Sequence, residues 1–239
     1  MGEVMLALKR AIVSLRRGRV WVHVLLPAIV AVVLTVGLSI TLLDRLVAAL
    51  VEQPPMSWVA AWGVLWLAKL LAAFGGWLLI LAASYVVAML LAAIFVLPLL
   101  LDHVAAIDYP DLARLGEDSV VASTANSVAA ALLFVVAWLV SLPLWLIPGA
   151  ALLLPLLLMG WLNRRTFAYD ALAAHATPAE WRQLRRQHAG ALLALGVGMA
   201  LLAHLPLVGL LAPAFAALAY VHYGLEALRR LRDGALTVV

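Results

Sequence analysis

Cysteine is absent from the 239 residues, and charged residues make up only 12% of the chain. The absence of cysteine excludes disulfide bonds, thiolate catalysis and cysteine-ligated metal sites. The short motifs of zinc proteases, serine hydrolases and phosphate-binding loops are also missing, and the six histidines show no metal-ligand spacing. We therefore expect neither an enzyme nor a protein with a metal or other cofactor.

Hydrophobic residues, in contrast, make up 67% of the chain, which is more apolar surface than a soluble domain of this size can bury. No polar linker or low-complexity stretch divides the sequence, so we predict one membrane domain over residues 1–239. The net charge of +4 lies in short basic clusters beside apolar segments. That pattern suits anionic lipid headgroups, so we expect the lipid bilayer as a partner and no nucleic acid.

The N-terminal part predicts an amphipathic cytoplasmic helix over residues 1–19, followed by a first crossing over residues 20–43. The apolar face of the amphipathic helix would be formed by Val4, Met5, Leu8, Ile12 and Leu15. The crossing is followed by a short polar connection from Asp44 to Ser57, which contains Pro54 and Pro55.

The next apolar stretch, residues 58–101, predicts a long second helix. A straight helix of that length would reach about 66 Å, twice the roughly 30 Å of a hydrocarbon core. Its tryptophans recur at helical spacing, as is typical of the headgroup region, at Trp58, Trp62 and Trp66. We therefore place Trp58–Ala72 in the outer interface and the crossing between Trp77 and Leu100. The alternative is two crossings with a turn at Gly75-Gly76.

The distribution of basic residues predicts the orientation in the membrane. Lys and Arg number five in residues 1–19, five in 163–189 and three in 226–234, but one each in 44–57 and 102–119. The positive-inside rule puts the three basic stretches in the cytoplasm, separated by even numbers of crossings, which favours a single crossing within 58–101. We expect a multi-pass protein of the inner (plasma) membrane with both termini cytoplasmic.

Two later apolar blocks, residues 120–162 and 190–225, are each broken by proline and glycine in a turn that stays hydrophobic, near Pro148 and Pro206. The returning arms, Ala150–Leu162 and Leu210–Tyr223, would span only about 20 Å as helices, so we predict two re-entrant or barely spanning hairpins. A cytoplasmic link (163–189) and a basic tail (226–239) follow them. In the link, Thr177–Glu180 predicts a helix start through a capping box.

These segments predict an all-α integral membrane protein with two long transmembrane helices, two re-entrant or short helical hairpins, and amphipathic cytoplasmic helices. Their order resembles the CysZ-type sulfate permease and etoposide-induced 2.4 protein family. The resemblance rests on the turn Leu146–Gly149, the exit Asn163–Asp170, the second turn Leu205–Leu207 with Pro213, the basic amphipathic start, and Leu26-Pro27. It implies a homo-oligomer that admits sulfate to the cytoplasm.

An oxyanion requires desolvated cations, and guanidinium groups near helix ends provide both charge and geometry. The candidate anion-binding residues are Arg16, Arg17, Arg19, Arg164 and Arg165. The alternative is that these arginines lie among the cytoplasmic headgroups. We expect Asp170 to form a salt bridge with Arg165 or Arg164, or else to relay protons.

Polar residues in the hairpins provide further candidates for a pore or hairpin tip: His204, Asn126 and Ser127. An ionisable group such as His204 within a membrane indicates function, or else a neutral ring bound to a turn carbonyl. Small polar residues line an aqueous path or serve helix packing. The leading hypothesis is a small-anion transporter or channel. The alternative is a membrane-organising or accessory protein whose hairpins and amphipathic helix contact lipid or protein.

Overall fold

The structure, a computed structural model, describes residues 2–117, 119–147, 149–205 and 208–236, and these ranges contain helices and no β-strand. The helices are α1 (Gly2–Ser14), α2 (Gly18–Glu52), α3 (Met56–Ala61), α4 (Leu65–Leu91), α5 (Leu97–Asp108), α6 (Val120–Ser141), α7 (Ala150–Ala173), α8 (Pro178–Gln187), α9 (Ala189–Ala203) and α10 (Ala212–Leu236). One π-helical segment, Ala92–Val96, joins α4 to α5. The all-α prediction is confirmed.

Three of the helical stretches are long and apolar enough to cross a membrane. They are Val20–Glu52, Leu65–Asp108 and Val120–Leu144. A fourth arises if the bent pair of α8 and α9, whose axes differ by 75°, forms one span. The chain is therefore a membrane protein with three to four candidate spans.

Two connections differ from the sequence prediction. Helix α2 continues through Asp44 and Arg45 to Glu52, so most of the predicted polar connection is helical. Both charged residues are exposed, and a helix tolerates exposed charge without breaking. Helix α4 passes through Gly75-Gly76 without a turn, so the predicted alternative of a turn at this pair is not observed.

Contacts divide the chain into two compact units, Ala28–Ala88 on one side and Met1–Pro27 with Met89–Val239 on the other. Within Ala28–Ala88, α2 packs on α4 at Gly76, where an added Cβ would lie 3.2 Å from Leu43. The chain turns between α3 and α4 at Gly63, which has a φ of 83°. The tryptophans at 58, 62 and 66 are exposed in this unit.

The second unit is organised around α10. Almost every residue from Ala212 to Leu228 is buried, and α10 contacts α1, α5, α7 and α9. Helix α10 also continues to Leu236, so the described part of the predicted basic tail is helical. Helix α7 likewise continues through Arg164 and Arg165 to Ala173. Both extensions bury apolar side chains such as Phe167 and Leu228, which keeps the helices intact beyond their charged residues.

Helix α1 packs on α10, but through a different face from the one predicted. The buried residues are Val4, Ala7, Ala11 and Ser14. Met5 and Ile12, two members of the predicted apolar face, are 65% and 58% exposed. This face carries small side chains, which let the backbones of α1 and α10 approach more closely than large side chains would.

Adjacent helices form the two predicted pairs, α6 with α7 and α9 with α10. The first turn contains the 3₁₀ segment Leu142–Leu146 and Gly149, which has a φ of 84°. The second contains the 3₁₀ segment Val208–Leu211. Pro148, Pro206 and Leu207, on which the predicted turns are centred, lie outside the described residues.

Helices α7 and α9 pack closely against each other in this unit. A Cβ added to Gly196 would lie 2.2 Å from the carbonyl oxygen of Gly160 and 2.8 Å from the Tyr220 hydroxyl. Two side chains form hydrogen bonds to α9 at this contact, one from α7 and one from α10. The buried Asn163 amide donates to the Gly196 carbonyl at 3.1 Å, and the Tyr220 hydroxyl donates to the Leu192 carbonyl at 2.8 Å. The glycines therefore place polar groups within bonding range.

We predict that Gly196→Ala lowers the free energy of unfolding by about 1–3 kcal/mol, because its methyl group has no room at the α7–α9 contact. The matched control is Gly198→Ala on the same helix, where nothing lies within 4 Å of an added Cβ. That control should be neutral or slightly stabilising. Thermal unfolding of the purified protein in detergent, followed by circular dichroism, measures both. Equal unfolding temperatures for the two variants would contradict the proposed close contact.

Candidate functional site

A polar cluster joins α1, α5 and α10. It consists of Arg10, Ser14, Tyr109, His222 and Glu226, which we call the α1–α5–α10 cluster. Arg10 Nη1 lies 2.8 Å from the Tyr109 hydroxyl and 2.6 Å from Glu226 Oε2, and Ser14 Oγ lies 2.8 Å from His222 Nε2. Helices α1 and α10 each contribute two residues four positions apart, so the pairs form one above the other. The pairing shows that α1 runs antiparallel to α10.

Glu226 is the carboxylate of this cluster, and three arginines pair with it. Besides Arg10, it accepts from Arg229 at 2.8 Å and from Arg230 at 2.9 Å. Burial raises the pKa of Glu226, but the hydrogen bonds from Arg10 and Arg230 outweigh it and hold the pKa below its ordinary value. The carboxylate is thus charged and compensated at neutral pH. Its arginines serve structure and are not available for a soluble anion.

Arg232 connects three further segments. It donates to both oxygens of Glu180, at 2.8 and 3.1 Å, and to the backbone carbonyls of Ala113 and His175. Glu180 also completes the predicted capping box with Thr177, which the structure contains. A groove of about 580 Å³ lies beside these residues, lined also by Arg230. Both of its arginines are paired with glutamates, which argues against it as the anion site.

The five predicted arginines occupy different environments. Arg17 makes a two-pronged ion pair with Asp108, at 2.8 and 2.7 Å. Arg16 is exposed, and the side chain of Arg19 lies outside the described part of the chain. Arg165 is exposed and lies over the Trp161 ring at 5.9 Å. Arg164 is half-buried, and no carboxylate among the described residues pairs with it.

The predicted polar residues of the first hairpin meet α7. The Asn126 amide donates to the Arg165 carbonyl at 3.1 Å, and Ser127 donates to Asp170 Oδ2 at 3.4 Å. Ser123 donates to Asp170 Oδ1 at 2.5 Å. The prediction of a salt bridge from Asp170 to Arg164 or Arg165 is wrong. Asp170 faces α6, and hydroxyls rather than guanidinium groups are its partners.

The burial of Asp170 controls its charge. Burial raises the pKa of Asp170 to about 7, against the lowering effect of the hydrogen bonds from Ser123 and Ser127. A buried carboxylate without a cation is costly, and a neutral carboxyl avoids that cost. Asp170 therefore changes charge close to neutral pH.

The remaining predicted residue, His204, is the C-cap residue that follows α9. Its Nδ1 lies 2.7 Å from the carbonyl oxygen of Ala200, one helical turn earlier, and the side chain is exposed. The described contacts bring Asn126 and Ser127 to α7 but do not join Arg16 or Arg17 to Arg164 or Arg165. Within the described residues, no three His, Asp or Glu side chains are grouped to hold a metal ion.

Sequence reasoning missed several residues that organise this region, namely Gly160, Gly196, Tyr220 and Asp108. The two glycines carried a usable signal, because small residues in apolar helices mark close helix contacts in membranes. Asp108 carried no such signal. Its partner Arg17 is 91 residues away in the sequence.

We predict that Arg17→Ala lowers the free energy of unfolding by about 1–2 kcal/mol, because Asp108 then remains partly buried without its cation. The double variant Arg17→Ala/Asp108→Asn should recover most of that loss, since the uncompensated charge is gone. Thermal unfolding of the single and double variants measures both effects. A double variant no more stable than Arg17→Ala would contradict the ion pair as the cause.

A second prediction concerns pH. Because folding raises the pKa of Asp170 from 3.8 to about 7, the folded chain binds more protons than the unfolded chain between those values. The contribution of Asp170 to stability therefore falls as pH rises through this window and levels off above it. Asp170→Asn should remove this dependence and unfold at a higher temperature than the wild type at about pH 8.

The measurement is the unfolding temperature of both proteins across the window. Asp111→Asn is the matched control, because Asp111 is exposed. It should keep the wild-type slope. A wild type and an Asp170→Asn variant with the same slope would contradict the assignment to Asp170.

Comparison with known proteins supports the resemblance seen in the sequence. Neither the curated proteins nor the solved structures contain a match to this chain. A family model described as Sulfate transporter CysZ/Etoposide-induced protein 2.4 matches residues 7–213. That range contains the candidate spans, both predicted hairpins as far as Pro213, and the predicted arginines. The chain therefore belongs to the Sulfate transporter CysZ/Etoposide-induced protein 2.4 family.

Proposed function

We propose that the protein moves a small oxyanion such as sulfate across the membrane, as a transporter or channel rather than an enzyme. The observation that carries this proposal is the family match over residues 7–213, which covers most of the chain. The three to four candidate spans supply the helices that such a path requires. The path would be lined by polar groups that replace the water around the anion.

The proposal includes a topology. Two long helices, α2 and the stretch Leu65–Asp108, cross the inner membrane, and both termini lie in the cytoplasm, as the basic clusters favour. The hairpins 120–162 and 190–225 penetrate partly, because their apolar returning arms are short. Several copies assemble, since backbone groups freed at hairpin tips need protein or water around them.

Arg164 is the strongest anion-binding candidate in this proposal. It is half-buried, so the charge is partly desolvated, and no described carboxylate neutralises it. Its neighbour Asn163 is held against α9 by the bond to Gly196, which anchors this turn of α7. A positioned guanidinium group that lacks an acidic partner favours an oxyanion. Arg165, Arg16 and Arg19 are secondary candidates, and Arg17 already binds Asp108.

We predict that purified protein in liposomes carries sulfate and that Arg164→Gln lowers the flux by about tenfold or more, since a lost charged hydrogen bond is worth about 1.5–3 kcal/mol. Arg164→Lys should retain part of the flux. The matched control is Arg185→Gln, which removes an exposed arginine of α8. The measurement is uptake of radiolabelled sulfate into vesicles of matched protein content.

Two results would count against these assignments. Equal losses in Arg164→Gln and Arg185→Gln would mean that net charge, not position, sets the flux. No sulfate flux by folded wild-type protein would remove the transport proposal. The second candidate function, a non-transporting membrane organiser, would then be favoured. The observation behind that alternative is the exposed apolar surface of α1, with Met5 and Ile12 facing away from the protein.

A further inference from the structure

Helix α1 has two faces with different compositions. The inner face, at positions 4, 7, 11 and 14, is buried against α10. The opposite face carries Met5, Lys9, Ile12, Val13 and Arg16, which we call the outer stripe. Their spacing of three or four residues puts them along one side of a helix. Arg16 follows the end of α1, but its N–H still bonds to the Val13 carbonyl at 3.0 Å, which continues the helical course.

The outer stripe combines exposed apolar side chains with two free cations. Met5, Ile12 and Val13 are 65%, 58% and 45% exposed. Arg10 and Arg17, on other sides of this segment, are committed to Glu226 and Asp108. Lys9 and Arg16 are exposed, and no described residue pairs with either one. The one acidic residue of α1, Glu3, bonds to Arg230 and leaves the charge of the stripe uncompensated.

The position of the stripe in the chain limits what it can contact. Three residues separate the end of α1 from the start of α2, and the first candidate span begins at Val20. Four residues reach at most about 14 Å, so Arg16 lies within that distance of the membrane segment. Arg16 therefore lies next to the first candidate span, and the rest of the outer stripe extends from Arg16 along α1 toward Met5.

We propose that the outer stripe is a binding surface for anionic phospholipid. Lys9 and Arg16 contact the headgroup phosphates, and Met5, Ile12 and Val13 insert among the adjoining acyl carbons. Lysine and arginine extend a charged end to the interface while their methylene stems stay on apolar surface. The inference goes beyond anion transport and does not depend on it. Its ligand is the membrane itself.

The test measures stabilisation of the full-length protein in detergent by added phosphatidylglycerol, with phosphatidylcholine as the neutral lipid. Phosphatidylglycerol should raise the unfolding temperature, and phosphatidylcholine should raise it less. In Lys9→Gln/Arg16→Gln, the phosphatidylglycerol concentration that gives half of the rise in unfolding temperature should increase about 30-fold. The reason is that each cation near an anionic surface raises the affinity for that surface about fivefold. Lys9→Arg/Arg16→Lys should keep the wild-type value, and Ile12→Gln should weaken binding of the lipid.

The control is Arg185→Gln/Arg186→Gln, which removes two exposed cations from α8. It should leave the response to phosphatidylglycerol unchanged. Three outcomes would overturn the proposal. The first is an equal loss of stabilisation by phosphatidylglycerol in Arg185→Gln/Arg186→Gln. The second is an unchanged response to the lipid in Lys9→Gln/Arg16→Gln. The third is the same stabilisation by inorganic phosphate, which has no acyl chains. The last would indicate a site for a soluble anion.

Discussion

Helix α10 is buried along almost its whole length from Ala212 to Leu228, and the second unit depends on that burial. Its apolar and small side chains pack against α5, α7 and α9. Where α1 packs on it, the helix carries the polar residues His222 and Glu226. A charge in such a position is tolerated only when cations and donors surround it. Arg10, Arg229 and Arg230 meet that requirement, and meeting it holds α1 in place.

The contact between α7 and α9 follows from a different constraint. Lipid is as apolar as leucine, so helices in a membrane gain little from burying apolar surface and must associate through close packing and hydrogen bonds. Gly160 and Gly196 provide the close approach, and Asn163 provides the hydrogen bond from α7 to α9. Tyr220 adds a hydrogen bond from α10 to α9. Arg164 is the residue after Asn163, so the packing that holds α7 against α9 also positions the proposed anion-binding group.

The arginines fall into two groups, those that bind a carboxylate within the protein and those that have no described acidic partner. Four arginines bind a carboxylate that is distant in sequence, namely Arg10, Arg17, Arg230 and Arg232. Arg229 binds Glu226 within the same helix. Arg164 is half-buried without a described acidic partner, and Arg16 is exposed beside the first candidate span. The half-buried position of Arg164 favours a small oxyanion, and the exposed position of Arg16 favours the headgroups of the bilayer. Chemically identical side chains therefore serve different partners because their burial and neighbours differ.

The sequence by itself determined the class of the protein, its helical content and its family, and it located the capping box at Thr177. These features depend on composition, on hydrophobic runs or on residues close in the chain, so local patterns are sufficient to predict them. Tertiary structure alone decided which face of α1 packs inward, how far α7 and α10 continue, and which groups Asp170 binds. The physical reason is sequence separation. Arg10 and Glu226 are 216 residues apart, and Ser123 and Asp170 are 47 apart, so only the packed helices bring such partners together.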